Sequence, residues 1–81
     1  MIQVTIYLLG PLLDYWPPGV TANPFVCELM RRTTIRELIL SFGIPFDEVT
    51  IVFVNDASEP DWERVLIERD KVVLLPFTIG G

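Results

Sequence analysis

The sequence predicts an α+β fold: one mixed sheet of four to five strands with a single helix packed on one face. Three observations carry this expectation. Segments at both ends are apolar and rich in β-branched residues, at strand length. One segment between them places apolar residues at helical spacing between a start signal and a stop signal. The length, 81 residues, fits one domain and one core.

Residues 2–9 read as the first strand, with Ile2, Val4, Ile6 and Leu8 on one face and Gln3, Thr5 and Tyr7 on the other. Residues 10–19 contain Pro11, Pro17 and Pro18 and cannot hold a regular ladder, so they form a loop. Residues 20–31 read as a second strand, in which Pro24 points to an edge position or a bulge. Thr34 and Glu37 then have capping-box spacing, and Ile35, Leu38, Ile39 and Phe42 fall at i, i+3, i+4 and i+7. Gly43 supplies a left-handed C-terminal cap and Pro45 prevents continuation. This helix is two to three turns long and needs a sheet to pack on. Residues 49–54 form a third strand, residues 55–59 an acidic turn, residues 61–65 a short edge strand, and residues 70–75 the last strand, ended by Pro76.

One helix covers one face of such a sheet, yet several strands are apolar on both faces. With Val4, Ile6, Leu8, Phe25, Cys27, Val72 and Leu74 toward the helix, the open face receives Tyr7, Leu9, Val26, Met30, Val73, Leu75 and Phe77. Two readings of that face stand: a partner surface, or a surface covered by the Pro-rich loop through Leu12, Leu13, Tyr15 and Trp16.

Composition removes several classes of chemistry. The chain is 51% hydrophobic and 21% charged, which is globular rather than disordered. It has no histidine and one cysteine, Cys27, so no Ser-His-Asp triad, Cys-His pair, structural zinc site, cysteine-held iron–sulfur cluster or intrachain disulfide forms within it. Cys27, in step with Phe25 and Leu29, reads as a buried thiol behaving as a small hydrophobe rather than as a nucleophile. The net charge of −5 argues against nucleic acid and for partners with a basic docking surface. The one basic cluster, Arg31, Arg32 and Arg36, reads as a solvated helix start. Asp56, Glu59, Asp61 and Glu63 read as solvated loop charge rather than as a metal site. No basic n-region precedes the apolar run from Ile6 to Leu13, Gly10-Pro11 interrupts it, and no run approaches a membrane span; a soluble, cytoplasmic protein without a membrane partner is expected.

The last two residues carry the functional reading. At average glycine usage, two terminal glycines arise by chance about 0.5% of the time. Lacking Cβ, Gly80 and Gly81 are able to thread a narrow channel and present the carboxylate of Gly81 to an enzyme. The residues of a tail over 77–81 extend about 16–18 Å beyond the sheet at full stretch. A frayed terminus is the plain alternative.

Across nearly its whole length the chain resembles the sulfur carriers of thiamine and molybdopterin synthesis, the ThiS/MoaD-like family, which have the ubiquitin-like β-grasp fold. Val52-Phe53-Val54-Asn55 resembles that family's apolar strand ending in Val-Asn. Leu66-Ile67-Glu68-Arg69-Asp70-Lys71-Val72 is similar to its pattern Leu-x-x-Gly-Asp-x-Val, with Arg69 in the glycine's place. Pro76-Phe77-Thr78-Ile79-Gly80-Gly81 resembles its closing Pro-x-x-x-Gly-Gly, and Phe42-Gly43-Ile44-Pro45 the segment after the helix. Asn55-Asp56 replaces the commoner Asn-Gly, and Ile79 is bulkier than the small residue often found before the terminal pair.

The resemblance implies a protein co-substrate rather than an enzyme, at most the small subunit of a synthase. A ubiquitin-activating-type enzyme uses ATP and magnesium to adenylate the carboxylate of Gly81. A persulfide sulfur donor then displaces AMP to leave a thiocarboxylate, and a recipient synthase takes the sulfur. On this expectation Gly80 and Gly81 do the chemistry, while Tyr7, Leu9, Val73, Leu75, Phe77, Thr78 and Ile79 meet the partners. No cofactor or metal is bound by the carrier. Two alternatives share the fold: a ubiquitin-like protein modifier conjugated through Gly81, and a non-catalytic interaction module with an inert tail.

Overall fold

The computed structural model describes residues 1–15, 17 and 24–76. Strands β1 (Ile2–Leu8), β2 (Phe25–Leu29), β3 (Val49–Val54), β4 (Ala57–Ser58) and β5 (Lys71–Pro76) form one sheet in the order β2-β1-β5-β3-β4. The two central strands, β1 and β5, are parallel, and every other neighbouring pair is antiparallel. Helix α1 (Ile35–Ser41) lies between β2 and β3 in the chain and buries Ile35, Leu38 and Ile39. This is the β-grasp arrangement expected from the sequence.

The core follows from strand alternation. Ile2, Val4, Ile6 and Leu8 of β1, Phe25 and Leu29 of β2, Val52 and Val54 of β3, and Val72 and Leu74 of β5 meet the helix residues in one apolar cluster. Each such side chain contributes roughly 1.5–3 kcal/mol on burial, which is what holds a seven-residue helix that is marginal alone.

Both ends of α1 are closed as the sequence predicts. The Thr34 hydroxyl accepts from the Glu37 amide at 3.1 Å, and the Glu37 carboxylate accepts from the Thr34 amide at 3.0 Å. At the other end Gly43 has φ +75°, its amide donates to the Leu40 carbonyl, and the Ile44 amide donates to the Ile39 carbonyl. That double closure is a Schellman motif, and it seats Ile44 in the core.

Several boundaries differ from the sequence reading. The first strand ends at Leu8, and Leu9 begins the turn that follows, its carbonyl accepting from Leu12. The second strand occupies only residues 25–29, because Pro24 sits in a bend just before it; residues 20–23 lie outside the described residues. Pro76 does not end the ladder but closes it, opposite Val49, where a register shift at Thr50 makes the missing amide harmless. The acidic turn contains a strand: Asn55 and Asp56, with φ of 53° and 72°, form a two-residue reversal that folds Ala57–Ser58 back on β3.

Residues 61–65 are not an edge strand. Asp61 accepts the amides of Glu63, through its side chain, and of Arg64, through its carbonyl, which curls the segment into turns. Its outward bonds serve the start of α1 instead. Ile35 donates to the Arg64 carbonyl, Arg36 to the Trp62 carbonyl, and Leu66 to the Thr33 carbonyl. The segment thus accepts from amides that a helix leaves unsatisfied in its first turn.

Of the four Pro-rich-loop residues read as covering the open face, three are described. The loop's 3-10 turn, Gly10–Tyr15, sends Leu12 fully into the core, and the Tyr15 hydroxyl donates to Glu48 at 2.7 Å. Leu12 and Tyr15 therefore lean on the core, while Leu13 stays exposed and Trp16 lies outside the described residues.

Candidate functional site

The face of the sheet opposite the core carries the residues that alternate with it. Tyr7 pairs with Val73, and Val73 with Phe53, so three half-buried apolar side chains stand in one row across β1, β5 and β3. Leu75, paired with Ile51, extends the row toward the end of β5. Ile51 is 40% exposed, and on the far strand Val26 is 64% exposed. Apolar side chains therefore stand on this side of the sheet as well as in the core.

A cation closes one end of this patch. Lys71 Nζ binds Asp56 Oδ1 at 2.6 Å and lies 5.9 Å from the centre of the Tyr7 ring. The hydrogen bond to Asp56, opposed in part by burial and aided by the charge of Asp56, raises Lys71 above its ordinary 10.5, so it is charged throughout the physiological range. The other end of the patch is the end of β5, from which residues 77–81 continue.

The sequence placed Tyr7, Val73 and Leu75 on this face, and the structure brings them together there. Leu9 stands beyond the end of β1, in the turn. Phe77, Thr78, Ile79, Gly80 and Gly81 lie outside the described residues. Sequence reasoning missed Phe53 and Ile51, although the inward alternation of Val52 and Val54 already assigns them to the open face.

It also missed Asp70, which is 2% exposed. Its carboxylate accepts the side-chain amide of Asn55 and the backbone amide of Ile67, each at 2.9 Å, and Arg64 Nη1 lies 3.5 Å away. Asn55 in turn accepts the Lys71 amide at 2.9 Å, and the Arg69 amide donates to the Gln3 carbonyl at 2.7 Å. Asp70 thereby fixes where β5 starts against β1 and β3, and so the register of the open face. Arg69, in the position the resemblance gives to glycine, has φ +70°.

The other candidates are structural in their surroundings. Cys27 is half-buried rather than fully buried, and burial, with the charge of Glu28 second, raises its thiol above 9.0 and keeps it protonated. Three of the four loop acids hold cations: Asp56 binds Lys71, Glu59 binds Arg64, and Glu63 binds Arg36. Among the described residues, no three His, Cys, Asp or Glu side chains are grouped to hold a metal, and no helix is long and apolar enough to cross a membrane.

Residues 1–78 match the Mut7-C ubiquitin family. The chain belongs to that family. Among curated proteins, none matches it. The match covers every strand of the sheet and the helix, so the open face and the Asp70 cluster are parts of a ubiquitin-like domain.

Proposed function

We propose that this ubiquitin-like domain is a sulfur carrier of the thiamine or molybdopterin type, with the carboxylate of Gly81 as its working group. The observation that supports it is the position of β5. This strand is held on both sides, by β1 and by β3, and ends at Pro76, five residues before Gly81. A rigid central strand leading into Gly80-Gly81 presents a terminus to another protein's site without loosening the fold.

A carboxylate resists nucleophiles because of its charge and because oxide is a poor leaving group. In the proposed cycle a Gly81 oxygen attacks the α-phosphorus of ATP, releasing pyrophosphate and forming an acyl adenylate. A persulfide attacks the carbonyl carbon and expels AMP. A thiol then reduces the resulting sulfur–sulfur bond with two electrons and leaves the thiocarboxylate. ATP and magnesium belong to the activating enzyme. This chain contributes the terminus, the passage at Gly80, and a docking surface around Tyr7, Val73 and Leu75 extended by Phe77, Thr78 and Ile79.

Intact-mass and C-terminal-fragment measurement on the protein from its own host tests this. An oxygen-to-sulfur exchange on a fragment ending in Gly81, abolished by deleting Gly81 with the fold unchanged, is expected. A mass showing an unmodified or further-extended end, with ATP and the cognate activating enzyme present, overturns it.

The apolar row Tyr7–Val73–Phe53 favours one second reading, an interaction module that works through its open face alone. It predicts full partner binding after residues 80 and 81 are removed, and loss of binding with the fold intact for Tyr7→Ala.

A further inference from the structure

We propose that the outer edge of β2 takes an extended segment of a partner protein as a further, antiparallel strand of the sheet, with a single Lys or Arg of that segment opposite Glu28. The proposal is independent of whether Gly81 is activated.

The bonds on the other side of β1 fix which backbone groups of β2 face outward. The Thr5 amide donates to the Asp70 carbonyl at 2.9 Å, and the Gln3 carbonyl accepts from the Arg69 amide at 2.7 Å. Gln3 and Thr5 thus turn their backbone groups toward β5, and Ile2, Val4 and Ile6 turn theirs toward β2. Leu29, Cys27 and Phe25 stand opposite those three. The amides and carbonyls of Val26 and Glu28 therefore point away from the sheet, and beyond β2 no strand lies among the described residues. The Glu28 carbonyl has only a long contact there, 3.8 Å from the Cys27 thiol. Pro24 has no amide to offer, and the Met30 carbonyl is taken by the Thr33 amide at 3.3 Å and the Thr33 hydroxyl at 2.6 Å. The open edge is thus the stretch from Val26 to Glu28, whose amides and carbonyls an antiparallel strand satisfies, the mode by which many domains bind extended peptides.

Side chains on both sides of this edge leave contact for an added strand. On the open face Val26 and Met30 are 64% and 71% exposed. On the helix side the short Cys27 is half-buried between the buried Phe25 and Leu29. Glu28 is the one charge on β2, exposed and with no ion-pair partner among the described residues. It decides the occupant. Antiparallel pairing with both open residues of a second copy sets Val26 of each opposite Glu28 of the other. The two Glu28 carboxylates then become diagonal neighbours on one face, at a net charge of −5 per molecule. A Lys or Arg opposite Glu28 replaces that repulsion with a cross-strand ion pair. Arg31 and Arg32 are exposed in the turn just past the edge, also without ion-pair partners among the described residues. They repel a run of basic residues, so the cation is single and β-branched residues flank it.

The probe is the blocked peptide Val-Thr-Lys-Val-Ile-Thr, titrated into the ¹⁵N-labelled full chain. Before peptide is added, the Val26 and Glu28 amides are expected to exchange quickly and those of Cys27 and Leu29, bonded to β1, slowly. Peptide is expected to shift the amides of residues 25–30 and to slow exchange at Val26 and Glu28. Replacing the Lys by Glu, or N-methylating its amide, weakens binding by about tenfold or more, and Glu28→Lys in the protein reverses the preference between the Lys and Glu peptides. Protection of the Val26 and Glu28 amides in the free chain overturns the proposal, because the edge is then already filled. Equal binding by the Glu or N-methylated peptide, a concentration-dependent dimer in place of peptide binding, shifts centred on β3 or on Tyr7 and Val73, or no shift at ~1 mM peptide overturns it as well.

Discussion

The side-chain amide of Asn55 donates to the Asp70 carboxylate across 2.9 Å, joining the residue that follows β3 to the residue that precedes β5. Everything between them, including β4 and the turns around Trp62, is a loop closed by that bond. Asp70 also holds the Ile67 amide and faces Arg64, so its removal leaves two part-buried hydrogen bonds and the Arg64 guanidinium without their acceptor. Asp70→Ala is expected to cost about 2–4 kcal/mol and Asp70→Asn less, read as a lower urea midpoint at unchanged slope. A loss below ~0.5 kcal/mol for the alanine variant removes Asp70 from this role.

Arg69 pays a conformational penalty at φ +70° while its side chain is exposed and forms no ion pair among the described residues. Glycine relieves that strain at the cost of a more flexible unfolded chain. Arg69→Gly is expected to stabilise by about 0.5–1 kcal/mol, and Arg69→Val to destabilise by a similar or larger amount. Thermal unfolding of the two variants side by side checks the sign of each.

The capping box at Thr34 closes the helix that covers the core. Thr34→Ala removes the acceptor for the Glu37 amide and should lower stability by about 1 kcal/mol. Thr34→Asp, which keeps an acceptor there, should lose less, and circular dichroism during denaturant titration separates the two.

Three groups bind their protons more tightly folded than unfolded. The Cys27 thiol is raised by burial, the Tyr15 phenol by its hydrogen bond to Glu48, and the Lys71 ammonium by its hydrogen bond to Asp56. Above their ordinary values of 9.0, 10.0 and 10.5 the unfolded chain loses these protons first, so each contribution is complete below those values and disappears as pH rises through the folded ones. Stability is therefore expected to fall on the alkaline side, beginning near pH 9, and Tyr15→Phe should flatten the part that follows tyrosinate absorbance. An unchanged alkaline limb in that variant removes Tyr15 from the account.

The sequence disclosed most where structure is local. The capping box, the apolar stripe and Gly43 all act within one helix, and each stands where its spacing predicts. It disclosed least where a residue is employed by distant segments. Nothing near Val65 in the chain shows that it will bridge to Thr34, so the short segment ending there reads as a strand. Asp70 reads from the sequence only as the first residue of the last strand, because Asn55, Ile67 and Arg64 meet it only once the sheet is closed. The Asn55-Asp56 reversal was legible in principle, but the acids after it resemble a solvated loop as much as a hairpin. For the candidate site, the alternation of β1 and β5 was enough to find Tyr7, Val73 and Leu75, while Phe53 and Ile51 required the same rule applied to β3.

The parallel pairing of β1 with β5 sets the order of events during synthesis. The domain's first strand waits for its last, since in the sheet only β5 joins the β2-β1 half to the β3-β4 half. A nascent chain halted before residue 71 lacks the one strand that bonds to both β1 and β3, and long-range closure of this kind is slow. Any partner that reads the finished sheet consequently meets only molecules translated through Pro76, so recognition of the fold doubles as a check that the ribosome has reached the far end of the domain.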